Sequence, residues 1–269
     1  ALADYLHSEP TLEGAFKRYQ EERRIEVLRL QSAARNSLEW FEEVERYLDM
    51  PPTQFAYSLL TRSQRISHEN LRLRDAGFLG AAEDWFQTQA GGKPGRRPMF
   101  APFALRDIAL KNRIVMSPMA QYKAVDGTPT DWHFVHYAER AKGGAAVITM
   151  EAMAVHESTQ PYPGKAFAFD PRMIGEFRKI AAAVHNHDTL ILAQAWHRGR
   201  QTNSVTSRVP VWAPSAIPCS VYREMPKVME AEDIEQIIHG YRLTARHAVE
   251  GGFIKLALGI ALLALVVGA

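Results

Sequence analysis

Three clusters in this chain place small, polar and aromatic side chains directly after apolar, β-branched runs. The first is Ser117-Pro118-Met119-Ala120-Gln121-Tyr122, which follows Ile114–Met116. The second is Glu151-Ala152-Met153-Ala154-Val155, and the third Gln194-Ala195-Trp196-His197-Arg198-Gly199-Arg200. An amide, an imidazole, a guanidinium and a phenol converging over small residues suit a flat, hydrogen-bonding heterocycle. Ala120 and Ala152 would let a ring lie against backbone, and Gln194 can read a ring edge that offers both a donor and an acceptor. Taken singly, each residue has a plainer account. Gln194 could be a satisfied strand-end amide, His197 part of a solvated turn, Glu151 a general base or a rim salt bridge, and Tyr122 a packed ring with its hydroxyl in water. The succession of three clusters, each at a strand end, is what favours a ligand site.

The elements that would position these clusters can be read from the same region. Proline cannot donate a ladder hydrogen bond, so the first run must stop at Ser117-Pro118. Strands are predicted at Arg113–Met116, Ala145–Met150, Thr189–Gln194 and Phe253–Leu258, with helices at Asp131–Lys142, Pro171–His187 and Glu232–Glu250 between them. Gly143-Gly144 and Gly251-Gly252 stand where helix C-caps belong, and His185 and His187 suit a helix C-terminus better than a metal. Alternating strands and helices imply an α/β fold with a parallel sheet and right-handed crossovers. About four βα units make a partial (β/α)8 TIM barrel, in which the strand ends share one mouth. An open doubly wound sheet is the alternative, weakened because no G-x-G-x-x-G follows any strand.

Residues 1–89 read as helical, starting a long helix at a Thr11 cap. Leu38, Phe41, Val44 and Leu48 form an i, i+3, i+4 stripe with glutamates on the other face, and Pro51-Pro52 ends it. Residues 90–98, rich in Gly and Pro, read as a linker to a second domain, 99–269.

Composition narrows the function classes. The chain has 269 residues, 46% hydrophobic and 23% charged, and a formal net charge of +2, which gives no case for nucleic-acid binding. The single cysteine, Cys219, excludes an internal disulfide and fits a reducing, cytoplasmic compartment. No metal-ligand spacing accompanies it. Residues 254–269 are apolar except for Lys255, yet shorter than the roughly 20 residues a membrane span needs. Both ends read as cut, and no secretory signal opens the chain. The expected partner is a small molecule, with no membrane and with oligomerisation left open.

Pro102-Phe103-Ala104-Leu105-Arg106-Asp107, the run Leu110–Met119, and Gln194-x-x-His197-x-Gly199-Arg200 resemble the old yellow enzyme family of FMN-dependent ene-reductases, and Trp212-Ala213-Pro214-Ser215-Ala216 fits it too. The resemblance covers about residues 99–253 and implies a (β/α)8 barrel with FMN at its mouth. It implies that Ser117, Pro118, Met119 and Ala120 line the flavin largely through backbone, that Ala152 sits near the isoalloxazine, that Gln194 bonds the pyrimidine edge, and that Tyr122 faces the substrate. The implied chemistry is hydride transfer from NAD(P)H to FMN and on to an activated alkene.

Upstream, Tyr19–Arg24, Gln31–Phe41 and Phe55–Ser63 resemble the C-terminal tail of FAD monooxygenases acting on salicylyl-CoA and aminobenzoyl-CoA. Together the two resemblances imply a two-flavin parent that hydroxylates an aromatic CoA thioester with FAD and O2, then reduces the dearomatised ring. The sequence also departs from both patterns. The FAD-binding fold is absent. The histidine pair and tyrosine that the barrel family carries after the fourth strand have no counterpart in Gly259–Ala264, so the catalytic proton donors are unassigned. Strands five to eight and their phosphate site are missing. This chain alone is therefore expected to be a catalytically incompetent fragment that binds FMN poorly or not at all, with two open edge strands. The alternative is a helical scaffold or interaction protein derived from such an enzyme.

Overall fold

The computed structural model describes residues 1–159 and 163–253. The chain divides into two compact units, Ala1–Pro98 and Met99–Ala269.

The first unit is helical: α1 (Leu2–Ser8), α2 (Leu12–Glu42), α3 (Glu45–Leu48), α4 (Pro52–Thr61), α5 (His68–Arg74) and α6 (Ala76–Gln89). Thr11 caps α2, its Oγ1 accepting from Gly14 N–H at 3.1 Å. The apolar stripe stays largely at the surface: Leu38 is 57% and Leu48 63% exposed, and Phe41 is exposed as well. Trp40 is buried instead, stacked on Tyr47 at 4.8 Å between centroids and donating Nε1–H to Ser58 Oγ at 2.9 Å. Periodicity tells which residues share a face; it does not supply a neighbour for that face. Pro51-Pro52 ends the preceding helical stretch but also starts a helix, because a proline in the first turn gives up an N–H that would be unpaired anyway. The polar stretch after Ser63 yields α5, capped by Ser67. Glu83 then ties three helices together. It accepts from Arg72 Nη2 at 2.6 Å and pairs with His68 Nε2 at 2.9 Å, while His68 Nδ1 meets Tyr57 Oη at 2.9 Å.

The second unit opens with an antiparallel hairpin, β1 (Phe103–Leu105) and β2 (Ile108–Leu110), and continues into a parallel sheet of β3 (Val115–Met116), β4 (Val147–Ala154) and β5 (Leu190–Trp196) in the order β3-β4-β5. The connecting helices are α7 (Asp131–Lys142) and α8 (Met173–His185). This is an α/β fold, part of a (β/α)8 barrel. Short α9 (Ser204–Ser207), the parallel pair β6 (Trp212–Ala213) and β7 (Lys227–Val228), and the long α10 (Ala231–Glu250) complete the described residues. The fourth predicted strand, Phe253–Leu258, lies almost wholly outside them.

Strand lengths correct the sequence reading. β4 and β5 run on past the predicted ends at Met150 and Gln194, so Glu151–Ala154 and Ala195-Trp196 lie within strands, with a register shift between Thr149 and Ala152. Ladder pairing with a neighbour sustains a strand through polar residues that a hydrophobicity criterion reads as its end.

The core forms where α7 and α8 cover the sheet. Met173, Phe177, Ile180, Ala181 and Val184 make one buried face of α8, meeting Ile148, Met150, Met153 and Ile191 from the strands. Each large side chain so buried contributes about 1.5–3 kcal/mol. α10 docks closely: a Cβ on Gly240 would stand 2.2 Å from the Val155 carbonyl oxygen, so only glycine allows the helix to approach the end of β4. Among the described residues, β3 and β5 have no further strand neighbour on their outer edges. Val115 of β3 is 55% exposed, and only Ile191 of β5 is buried.

Candidate active site

A fully buried carboxylate organises the C-terminal edge of the sheet. Glu151 comes from β4, and its Oε2 accepts the Gln121 backbone N–H at 2.9 Å, while Oε1 is 2.8 Å from His133 Nε2. His133 occupies the third position of α7, where its Nδ1 accepts the Thr130 N–H at 3.0 Å. That bond leaves the ring proton on Nε2, so the imidazole donates to Glu151. Tyr137, one turn further along α7, accepts the Glu151 N–H at 3.0 Å, and burial pushes its phenol well above the usual range. The loop bearing Ser117–Tyr122 is thus fixed to β4 from beneath. With both oxygens engaged and no exposure, Glu151 stands as a buried anchor, its Oε2 also within ion-pair range of Lys165 Nζ at 3.8 Å.

A second network closes the end of β5. His197 Nδ1 accepts the Gly199 N–H at 3.1 Å, its Nε2 meets Ser158 Oγ at 2.9 Å, and Ser158 Oγ meets His156 Nδ1 at 2.9 Å. Burial, then the neighbouring His156, lowers His197 to about 4, so its ring is neutral at physiological pH. Arg198 donates its backbone N–H to Thr159 Oγ1 at 2.7 Å, and its guanidinium lies 5.3 Å from the Trp196 ring centroid.

Around these supports the structure places the sequence-derived candidates. Ala152 and Gln194 are register partners on β4 and β5, both half-buried. Ser117 follows directly on β3, whose last residue, Met116, pairs with Ile148. Ser117, Met119 and Ala120 are exposed, Pro118 is half-buried, and Tyr122 is 56% exposed in a left-handed backbone conformation, φ 54°. Among the described residues the Gln194 amide has no side-chain hydrogen bond. The result is an open ledge of small side chains and loop backbone, with an amide free to meet a ring edge.

Two participants escaped the sequence reading. The Thr130-x-x-His133 spacing is a capping-box signal and could have located His133. Lys165 carried no signal, since it arrives from a loop remote in sequence. A separate open groove of ≈ 590 Å³, lined by His156, Gln236, His239 and Gly240 among others, lies between the end of β4 and α10 and includes none of the candidates.

Residues 98–255, more than half of the chain, match the sequence profile of the NADH:flavin oxidoreductase / NADH oxidase family. The chain belongs to that family. An NADPH dehydrogenase of Geobacillus sp. (strain WCH70) is 36% identical over 157 residues, 58% of this chain and 45% of the relative. The flavin oxidoreductase hxnT of Emericella nidulans is 34% identical over 171 residues, 58% of this chain and 44% of the relative. Among solved structures, the old yellow enzyme homologue from Zymomonas mobilis superposes with a TM-score of 0.52 at 28% identity, over 58% of this chain and 46% of the other. Old Yellow Enzyme from Pichia sp. AKU4542 does so with a TM-score of 0.54 at 26% identity, over 58% and 44%. The chain therefore spans a little under half the length of the relatives it matches. The family is one of flavin oxidoreductases. Small side chains, Ala120 and Ala152, stand on the strand-end loop and β4, and Gln194, in register with Ala152, makes no side-chain hydrogen bond among the described residues.

Proposed function

We propose that the Met99–Phe253 unit is the flavin-facing half of an old yellow enzyme-type barrel, which passes hydride from NAD(P)H through FMN to an activated alkene. The observation that carries this reading is the free Gln194 amide in register with Ala152, next to a strand-end loop that Glu151 holds in place. In this reading Ser117, Pro118, Met119 and Ala120 support FMN mainly through backbone, Ala152 leaves room for the isoalloxazine, Gln194 bonds its pyrimidine edge, and Tyr122 borders the substrate. Bound FMN would supply the two-electron carrier, and the protein supplies position and electrostatics. A proton must also reach the reduced alkene, and no described residue of the strand-end ledge is assigned to that task.

The substrate we infer is an aromatic acyl-CoA derivative with a dearomatised ring. The helical unit, residues 1–89, would be the tail of an FAD monooxygenase acting on the same thioester, joined through residues 90–98 in a cytoplasmic two-flavin parent. Support for this finer reading is the Tyr19–Arg24, Gln31–Phe41 and Phe55–Ser63 motifs together with the all-helical build of that unit.

The test is an FMN titration of the full chain followed by flavin fluorescence, beside Gln194→Leu. Binding that the substitution weakens or abolishes supports the reading. Binding indifferent to Gln194, or no binding at all, refutes the flavin assignment.

A further inference from the structure

Lys165 is only 7% exposed, a placement that lysine rarely adopts without a partner. Its three N–H donors meet no acceptor at hydrogen-bond distance among the described residues. The nearest charge is Glu151 Oε2 at 3.8 Å, within ion-pair range but too far for a hydrogen bond. That oxygen already accepts from Gln121 N–H, and the other from His133. The ammonium lies instead 4.7 Å from the Tyr122 ring centroid and 5.8 Å from that of Trp196. Cation–π contacts replace part of the lost hydration but none of the hydrogen bonds. Among the described residues, then, Lys165 is held in place with no hydrogen-bond acceptor.

The backbone fixes this arrangement on both sides. Gly164, at φ +87°, passes so close to Tyr122 that a Cβ would stand 2.4 Å from the Tyr122 carbonyl oxygen. Ala124 N–H bonds the Gly164 carbonyl at 3.0 Å. Tyr122, itself at positive φ and exposed to solvent, borders the ammonium where the ledge meets solvent. Arg198 adds a second positive charge against Trp196. An under-bonded cation kept beside a ledge of small residues is a group arranged to meet something from outside.

We propose that Lys165 anchors an oxyanion on the ligand of the strand-end site: a carboxylate, or a carbonyl oxygen that gains negative charge, borne on a flat ring. It donates N–H to that oxygen while Tyr122 and Trp196 contact the ring. The proposal rests on the functional reading only in placing a ligand at the strand ends; it gives that ligand a charge requirement.

The experiment titrates benzoate, and its neutral counterpart benzamide, into the full chain without FMN, followed by tryptophan fluorescence. Benzoate should bind about tenfold or more tightly than benzamide. Lys165→Met should remove that preference, and Lys165→Arg should restore most of it. Wild-type protein that does not prefer benzoate, including protein that binds neither, overturns the proposal, and so does Lys165→Met with undiminished benzoate affinity. The wild-type comparison requires no variant to fold. Because FMN is absent, failure of flavin binding would refute the functional reading while leaving this result intact.

Discussion

Replacing Glu151 by glutamine keeps the shape of the anchor and removes its charge, so the result isolates what the carboxylate does. Two donors converge on it, the Gln121 N–H at 2.9 Å and the His133 Nε2–H at 2.8 Å. An amide offers one oxygen, so its NH2 must face one of these donors. A buried donor left without an acceptor costs about 1–3 kcal/mol. Lys165 also loses the one negative charge near it among the described residues. Removing one partner of a buried pair costs about 3–5 kcal/mol when the pair is tight. Here the 3.8 Å separation makes the loss smaller. The sum is on the order of 2–4 kcal/mol for the Met99–Phe253 unit, a fall in Tm of roughly 5–15 °C. Calorimetry of the full chain reads the total, and hydrogen exchange at the Gln121 amide reads the local part. An unchanged Tm with Gln121 still protected would show that Glu151 does not hold the loop.

His197 gives a pH dependence of fixed sign. Its folded pKa of about 4 lies below the ordinary 6.5, so the unfolded chain binds the extra proton between those values. The neutral ring's contribution, on the order of 3 kcal/mol, is fully present above pH 6.5 and is lost as pH falls toward 4. His156, lowered mainly by its own burial, acts in the same direction. Urea midpoints measured across this range should fall less steeply for His197→Gln than for wild type; identical slopes would count against the assignment. Two glycines make a matched pair for thermal melts. Gly164→Ala should destabilise by about 1–3 kcal/mol, because its Cβ meets the Tyr122 carbonyl at positive φ. Gly80→Ala, within α6 and with nothing within 4 Å of the new Cβ, should stabilise by about 0.5–1 kcal/mol.

Local signals carried the sequence reading where they were strong. Asp131–Lys142 was legible to the residue, with Gly143-Gly144 marking its C-terminal end. The parallel order of the strands followed from the alternation of elements. The β1–β2 hairpin went unread, its Arg106-Asp107 turn hidden in a run taken whole as a family motif, with Arg106 at φ 56°. β4 and β5 were cut short at Glu151 and Gln194 because a polar residue in a strand looks like its end until its partner is known. Glu151 is satisfied by Gln121 and His133, and neither contact can be inferred from spacing. Lys165 illustrates the same limit, since its surroundings come from three segments that only the fold brings together.

The clasp at Glu151 also bears on how this segment is held closed. Gln121 and His133 stand at the two ends of a stretch of irregular chain, and one side chain from a neighbouring strand grips both. Topologically this is a staple: it restricts the loop much as a cross-link between its ends would, in a protein whose lone cysteine can form no such link internally. Unlike a disulfide it is indifferent to reductant, since no sulfur takes part in it.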